Sequence, residues 1–544
     1  MAGWVHHLII APIIIPLVAG ALSLIVDGAN RKLKGAISLV STLLLVVVGT
    51  ILVAAADAPV DEKWSGFVST YLLGDWPARF GIVLVLDRLS AMMVLMTSLL
   101  GLAALIYSFA RWYSVGINFF ALFQFQLMGL NGAFLTGDLF NLFVFFEVML
   151  AASYGLAMHG SGAPRVKAGL HYIAINLAAS SLFLVGVSLI YSVTGSLNMA
   201  DLANKVASLE PESRVLFEVG ASVLGVAFLV KAGMWPLGFW LPKTYSAACA
   251  PVAAMFAIMT KVGVYVILRL WMLAFGAGAG ESAYFGSSWL LIGGMLTIGF
   301  GATAVLASQD LTRLASASIV VSSGTLLAAI GLGTVDVTTG ALYYLVSSTF
   351  SAGALFLLIE LVERGREAGA DVLAVTMEAF AEDDDDKVFD DDIGVATPGT
   401  IAVLGICFIS CALLIAGLPP LSGFIAKFAL LKAVFSYGAV ITTVSWVFMA
   451  LLILSGLAAL IAMTRAGMRS FWATVGRQVP HVKVIEIMPI MGLLFLCLVM
   501  TIRGGSVIGY LHETASALNL PKTYITDVLE TPYGKPGKDG GVTQ

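Results

Sequence analysis

Four ionisable side chains stand far from the ends of long apolar stretches in this sequence. Glu147 is alone in a run that opens at Asp138, and Lys231, Lys261 and Lys427 lie in similar runs. A helix rises about 1.5 Å per residue, so Glu147 would lie about 13 Å beyond Asp138, near the middle of a membrane. A charged group at that depth costs about 2.5–3.5 kcal/mol on insertion scales, so a chain that keeps one usually uses it or pairs it.

A buried glutamate and a buried lysine that can separate form a proton switch. Burial disfavours the charged form of either group, whereas a nearby opposite charge restores it. We therefore expect Glu147 and Lys231 to pair, and the line on to Lys261 and Lys427 to carry protons laterally through hydroxyls and water. Structural interpretations remain open: Glu147 and Lys231 as a static ion pair, and Lys427 as a side chain that reaches a membrane surface.

Other charged residues near these stretches have simpler interpretations. Asp138 is either an access group for protons or the N-cap of the following helix. Arg88 and Arg269 lie nearer the ends of apolar runs, where we expect the side chains to extend towards water. His159 lies in a predicted loop, where solvation is the simplest expectation.

The composition predicts a polytopic helical membrane protein. Of 544 residues, 59% are hydrophobic and 11% charged, whereas a soluble chain carries about a quarter charged residues. Six His and four Cys are too scattered for a metal framework. The glycines at 276–280 follow no strand, so they form no nucleotide loop. We expect no metal, no cofactor, no enzyme active site and no nucleic-acid partner.

Apolar runs of about 20 residues predict fourteen transmembrane spans. They lie at 6–27, 35–56, 81–109, 117–136, 139–158, 170–193, 216–247, 250–275, 287–307, 312–332, 338–361, 398–436, 440–463 and 484–503. Between the spans, loops and span edges after odd-numbered spans hold fifteen Lys and Arg, against four after even-numbered spans; the end of the fourteenth span and the C-terminal tail after it hold four more. The positive-inside rule then puts both termini outside. No cleaved signal peptide is evident before the first span.

Two of these spans contain prolines that should break them. Pro236 and Pro242 interrupt the seventh span, and Pro419 and Pro420 the twelfth. Proline inside a helix removes a backbone hydrogen bond, and paired broken helices point to a transport site. Five spans separate the two breaks, so two five-helix repeats would be inverted relative to each other.

Four motifs together resemble the D subunit of the Mrp-type (Pha, Mnh) multisubunit cation/proton antiporters. They are residues 131–147 (NGAFLTGDLFNLFVFFE), 231–242 (KAGMWPLGFWLP), 251–265 (PVAAMFAIMTKVGVY) and 417–427 (GLPPLSGFIAK). The first is specific for that D subunit, and the others are shared with antiporter-like subunits of respiratory complex I. The resemblance implies fourteen helices, inverted repeats, broken helices seven and twelve, and a proton path through the glutamate and three lysines named above.

The resemblance also implies a division of the chain and a set of partners. Residues 1–110 would form helices 1–3, 117–275 the first repeat, 287–465 the second repeat with an acidic cytoplasmic loop at 363–397, and 484–544 the last helix and an external tail. Other complex subunits, lipid, protons and Na⁺ or K⁺ would be the partners, in a bacterial inner membrane. Which cation is carried stays open, because the sequence shows no cluster of oxygen ligands that would coordinate one.

The chain departs from its relatives in the eleventh span. There, residues 347–356 (SSTFSAGALF) lack the histidine and lysine that many relatives carry, and Ser322 and Ser323 stand in the tenth span where some relatives have a histidine. Passage between Lys261 and Lys427 would then depend on water and hydroxyls. Two other functions remain: a proton-pumping subunit of a redox complex, and a structural subunit with vestigial charges.

Overall fold

Helices make up nearly all of the structure. The computed structural model describes residues 6–28, 30–58, 68–364, 399–436, 442–472 and 482–532. These ranges contain nineteen α-helices and one two-stranded sheet, so the predicted all-α architecture is confirmed. The acidic loop predicted at 363–397 lies, beyond Arg364, outside the described residues, as does the end of the tail.

The helices are numbered here in chain order. They are α1 (Ala11–Ile25), α2 (Arg31–Ala56), α3 (Arg88–Ser108), α4 (Phe119–Leu135), α5 (Leu139–Ala157), α6 (Ala163–Thr194), α7 (Met199–Val206), α8 (Pro211–Ala232), α9 (Leu241–Ala247), α10 (Ala250–Ala274), α11 (Ser287–Ala307), α12 (Leu311–Leu332), α13 (Val335–Glu363), α14 (Gly399–Ala416), α15 (Ser422–Phe435), α16 (Thr443–Gly467), α17 (Val484–Ile502), α18 (Gly504–Asn519) and α19 (Lys522–Leu529). The strands are β1 (Ser69–Leu72) and β2 (Val83–Leu86).

Twelve helices of the described chain are long and apolar enough to cross a membrane. Two shorter apolar helices, α1 and α4, fall on the first and fourth predicted spans. Each of the fourteen predicted spans therefore contains an apolar helix, although the count of fourteen membrane crossings stays a prediction. Helix α10 lies at the centre, since every residue in its most apolar stretch is buried by its neighbours.

Both predicted helix breaks are present. Helix α8 ends at Ala232, and the following Gly233 has a φ of 76°, a conformation that glycine adopts at little cost. Helix α9 begins at Leu241 with Pro242 in its first turn. Helix α14 ends before Gly417, with φ of 77°, and α15 begins at Ser422. Pro236 and Pro420 lie in the two gaps, each after a cis peptide bond.

The third transmembrane helix begins later in the chain than the sequence predicts. Residues 83–86 form β2, which pairs antiparallel with β1, and helix α3 begins only at Arg88. Asp87 caps α3 by accepting a hydrogen bond from the Ser90 backbone N–H at 2.8 Å. A short apolar run cannot be assigned to strand or helix by periodicity alone, which explains the error.

The segment after the last predicted span folds back onto the protein as α18 and α19. Tyr524 and Val528 of α19 are buried, and α19 packs against α7 and β1. Tyr510 of α18 donates a hydrogen bond to the carbonyl oxygen of Arg88 at 2.8 Å. These two helices thus close one end of the helix bundle over the start of α3.

Candidate functional site

Glu147 and Lys231 face the same region of the protein without touching. Lys231, near the end of α8, is 5% exposed, and Glu147, in the middle of α5, is half-buried. Neither Lys231 Nζ nor Glu147 Oε1 has a hydrogen-bond partner among the described residues. Lys231 Nζ instead lies 4.9 Å from the centroid of the Phe146 ring, a cation–π distance. The predicted pair is therefore open in this structure.

Lys261 is held at the centre of the bundle by a hydroxyl. It lies in α10, is 1% exposed, and its Nζ donates a hydrogen bond to Ser322 Oγ of α12 at 2.6 Å. Ser322 Oγ is in turn 3.0 Å from Ser348 Oγ of α13. This contact joins three helices through one ammonium and two hydroxyl groups.

Lys427 is held by the helix break beside it. Its Nζ donates to the carbonyl oxygen of Ala416 at 2.9 Å and approaches that of Ile415 at 3.4 Å. These carbonyls belong to the last turn of α14, where a helix leaves its acceptors without partners in the chain. Lys427 is 8% exposed, so its side chain turns towards the break and does not extend to a membrane surface.

Two glycines make the space that Lys427 occupies. A Cβ on Gly417 would lie 2.5 Å from Lys427 Cδ, and a Cβ on Gly456 of α16 would lie 3.1 Å from Lys427 Nζ. The Gly456 Cβ would also lie 2.7 Å from the Ala416 carbonyl oxygen. The absence of side chains at these two positions lets the ammonium reach its acceptors.

A serine-lined cavity separates Lys261 from the region of Lys427. It has about 30 Å³ of room for water centres, and its walls include Lys261, Ser322, Ser348, Ile415 and Gly423. One water needs about 10–15 Å³ on this measure, so the cavity admits about two. Because Ile415 lines the cavity and its carbonyl accepts from Lys427, the cavity reaches the contacts of both lysines.

A second hydroxyl contact lies on the Lys427 side of this cavity. Ser347 Oγ of α13 is 2.8 Å from Ser422 Oγ, at the start of α15. Ser347 and its neighbour Ser348 both line the cavity, one towards α15 and the other towards Lys261. The sequence singled out Ser322 and the Ser347–Ser348 pair but gave no sign that Ser422 would meet them.

Asp138 caps a helix, as one of its two interpretations predicted. Its Oδ1 accepts from the Asn141 backbone N–H at 2.9 Å at the start of α5. Burial raises the pKa of the Asp138 carboxyl, and the backbone hydrogen bonds of Asn141 and Phe140 act against that rise. The cap is therefore observed, and the access role stays a prediction.

Three expectations of solvent exposure were wrong. The Arg88 side chain of α3 is only 7% exposed and pairs with Asp57. Arg269 of α10 forms an ion pair with Asp87, with 7% of its side chain exposed. His159 is 9% exposed, and its ring nitrogen Nε2 lies 3.0 Å from the Trp112 carbonyl oxygen. Burial lowers the pKa of His159, and the charge of Arg165 adds to that effect. Partners distant in the sequence produced all three contacts.

Comparisons with known proteins identify relatives over the whole chain. The model of the family described as "NADH:quinone oxidoreductase/Mrp antiporter, TM" matches residues 136–453. The D subunit of a probable K⁺/H⁺ antiporter of Rhizobium meliloti is 58% identical over 537 residues, which cover 98% of this chain and 99% of that protein. The D subunit of a Na⁺/H⁺ antiporter of Alkalihalophilus pseudofirmus is 36% identical over 96% of this chain and 100% of its own.

A solved structure shares the fold. A chain of the Mrp complex from a Dietzia species superposes with a TM-score of 0.81 at 24% identity, and the match covers 97% of this chain and 100% of that one. At this identity the likeness concerns the fold alone. It supports the arrangement of helices around the two breaks.

Proposed function

This chain belongs to the NADH:quinone oxidoreductase/Mrp antiporter transmembrane family, and from that premise we propose that it is the proton-translocating D subunit of a multisubunit antiporter. The complex would exchange protons for cytoplasmic Na⁺ or K⁺ in a bacterial plasma membrane. One observation carries the proposal: Lys231, Lys261 and Lys427, from three helices, are each at most 8% exposed. Buried ionisable groups in a membrane are rarely kept without a function.

Transport begins at the pair of Glu147 and Lys231. In the open arrangement, the Lys231 ammonium lies against the Phe146 ring and has no hydrogen-bond partner among the described residues. Burial without a direct ion pair disfavours the ammonium, so Lys231 tends to release its proton to a neighbour. When Glu147 approaches, its carboxylate stabilises the ammonium again, and the lysine is ready to take the next proton.

The middle of the path crosses from Lys261 to Lys427. Ser322 and Ser348 extend from Lys261, and Ser347 and Ser422 lie towards α15. A hydroxyl can accept one proton while donating another, so serines and one or two waters in the cavity between them would form a relay. The Ile415 and Ala416 carbonyls then orient Lys427 at the end of that relay.

Two other functions that a chain of this family could have are less well supported. A redox complex would also use proton-pumping chains of this fold, as the family description includes NADH:quinone oxidoreductase. The relatives that match nearly end to end, however, are named as D subunits of antiporters. A structural subunit with vestigial charges would not need four hydroxyls and a polar cavity between two buried lysines.

The proposal is tested with the whole complex in everted membrane vesicles. Adding Na⁺ or K⁺ should dissipate a pH gradient, reported by dequenching of a pH-sensitive dye, and the more effective cation identifies the substrate. Glu147→Ala and Lys231→Ala should abolish that signal, whereas Lys432→Ala, at an exposed position on α15, should not. Normal dequenching from the Glu147 and Lys231 variants would refute the transport role.

The partner subunits are tested by expressing the chain alone. We expect no cation-dependent proton flux from it, because the family relatives are named as subunits. Flux from the isolated chain, measured with the same dye, would contradict the proposed requirement for a complex.

A further inference from the structure

A large cavity lies at the end of the bundle closed by α18 and α19. Its volume is about 400 Å³, and it is bounded by the start of α3, the end of α10 and the two C-terminal helices. Exposed residues such as Glu513 and Leu520 lie at its rim. The positive-inside pattern of the loops predicts that this end of the bundle faces outward.

An ion pair lies at the cavity wall, between α3 and α10. Arg269 Nη2 donates to Asp87 Oδ1 at 2.8 Å, and Arg269 Nη1 contacts the other carboxylate oxygen. The Asp87 side chain is 13% exposed and that of Arg269 7%. Burial acts to raise the pKa of Asp87, but Arg269 and Ser90 outweigh it and hold this pKa below its usual value.

The same arginine connects the cavity to the interior of α10. Arg269 Nη2 also donates to the Tyr265 hydroxyl at 3.3 Å, and that hydroxyl donates to the Phe134 carbonyl oxygen at 2.6 Å. Residues 261, 265 and 269 are four apart, so they follow one face of α10. Tyr265 lies one turn, about 6 Å along the axis, from Lys261.

We propose that this cavity is the outer proton access of the protein, with the Asp87–Arg269 pair as its gate and Tyr265 between the gate and Lys261. The proposal rests on the proposed function and assigns a site to its outer side. Asp138, the other candidate for access, does not line this cavity.

The gate works through the charge of one carboxylate. While Asp87 is ionised, it holds the Arg269 guanidinium in the path, and that positive charge repels an incoming proton. When an excess proton carried by water in the cavity transiently protonates Asp87, the pair loses its attraction and Arg269 can move into the cavity. Asp87 then passes its proton inward through water to Tyr265. The Tyr265 hydroxyl turns away from the Phe134 carbonyl oxygen, gives its own proton to the neutral Lys261 amine and takes the incoming proton in its place. Asp87 becomes a carboxylate again and recaptures Arg269.

Other ionisable groups that face this site belong to neighbouring elements. Arg88 contacts Asp57 at 3.0 Å and also pairs with Glu513 of α18. The Arg269 guanidinium lies 5.3 Å from the centroid of the Tyr524 ring. Because Arg88 has its own carboxylates, Asp87 is the partner of Arg269, and protonation of Asp87 acts on Arg269 first.

The first test compares single and double variants in the intact complex. Asp87→Asn leaves Arg269 buried without its counter-charge and is expected to impair assembly, whereas Asp87→Asn with Arg269→Gln removes both charges. In everted vesicles the predicted outer face lines the lumen. We expect the double variant to assemble, to leak protons without added cation, and to lose the dependence of its flux on luminal pH. A wild-type luminal pH profile and no leak would overturn the gate.

The second test blocks the cavity and does not depend on those variants folding. The four native cysteines of this chain are all buried. A cysteine introduced by Ser516→Cys on the cavity wall can therefore be labelled with a bulky, membrane-impermeant thiol reagent applied to intact cells, before the vesicles are everted. We expect labelling to stop cation-driven flux. Ser208→Cys, at an exposed site on the same face but outside the cavity, is the matched control. Unchanged flux after complete labelling at 516 overturns the proposal.

These tests separate the gate from the function beneath it. If Glu147→Ala abolishes flux while the cavity variants behave as wild type, the access proposal fails and the transport function stands. If Glu147→Ala and Lys231→Ala leave flux intact, the proposed function itself fails.

Discussion

The Gly456→Ala variant is the sharpest test of how Lys427 is held. Gly456 faces the break between α14 and α15, and the added Cβ would lie 2.7 Å from the Ala416 carbonyl oxygen and 3.1 Å from Lys427 Nζ. Ordinary van der Waals contact for a Cβ begins near 3.4 Å. The carbonyl, the ammonium or both must therefore move apart from the new methyl group by several tenths of an ångström.

The expected size of the effect follows from the hydrogen bond at risk. Lys427 Nζ donates to the Ala416 carbonyl oxygen at 2.9 Å. A hydrogen bond to a charged group contributes about 1.5–3 kcal/mol, and every 1.4 kcal/mol is about tenfold in an equilibrium or a rate. If transport requires the oriented ammonium, the rate should fall about 10- to 150-fold. Alanine is the better helix former, so α16 itself should not weaken.

Cation-dependent dequenching in vesicles, normalised to the amount of assembled complex, measures this rate. Gly492→Ala on α17 is the matched control, because a Cβ there meets nothing within 4 Å. We also expect Gly456→Ala to change the pH dependence of flux, which a purely structural defect would not do. A normal rate and pH profile in an assembled Gly456→Ala complex would refute the idea that the glycine positions Lys427.

Three further predictions use the same complex. Ser348→Ala, which removes the hydroxyl bonded to Ser322, should slow flux at unchanged assembly, and Ser348→Thr should restore it; equal dequenching rates in all three proteins would count against the relay. Arg364→Gln should lower the melting temperature of the complex, because it leaves Glu486, whose side chain is 2% exposed, without its cation; an unchanged melting curve would contradict this. Burial acts to raise the pKa of Asp201, but Lys205 and its other partners hold it below its usual value. The stabilisation of the folded protein by the Asp201 carboxylate should therefore be full above the ordinary carboxyl range and lost as pH falls through the lowered pKa. The melting temperatures of wild type and Asp201→Asn should then converge in acid. A difference that stays constant with pH would refute the assignment.

The membrane-spanning helices and their breaks were predictable because their signals are local. Apolar runs fix the positions of the spans, and Pro236 and Pro420 mark the gaps by removing backbone donors. The burial of Lys231, Lys261 and Lys427 follows from the same runs. Local signals could not give the partner of each lysine, since Ser322 is 61 residues from Lys261.

Errors arose where the outcome depended on distant parts of the chain. The apolar residues 83–86 predict the start of a transmembrane span, but they pair with β1 as a strand. The position of Arg269 near the end of an apolar run predicts a side chain directed to water, but Asp87, 182 residues away, accepts its hydrogen bonds. In both cases the sequence shows the group that needs a partner and not the group that supplies it.

The hydroxyl contacts at Ser322 and Ser348 have a consequence for the kinetics of the proposed proton path. Serine side chains neither gain nor lose charge near neutral pH, so this stretch cannot store a proton the way a lysine or histidine can. In the proposed relay, this stretch would conduct protons between the two lysines and would not hold one itself. A proton leaving Lys261 through this relay would reach Lys427 within one rearrangement of hydrogen bonds, so deprotonation of Lys261 and protonation of Lys427 should occur together.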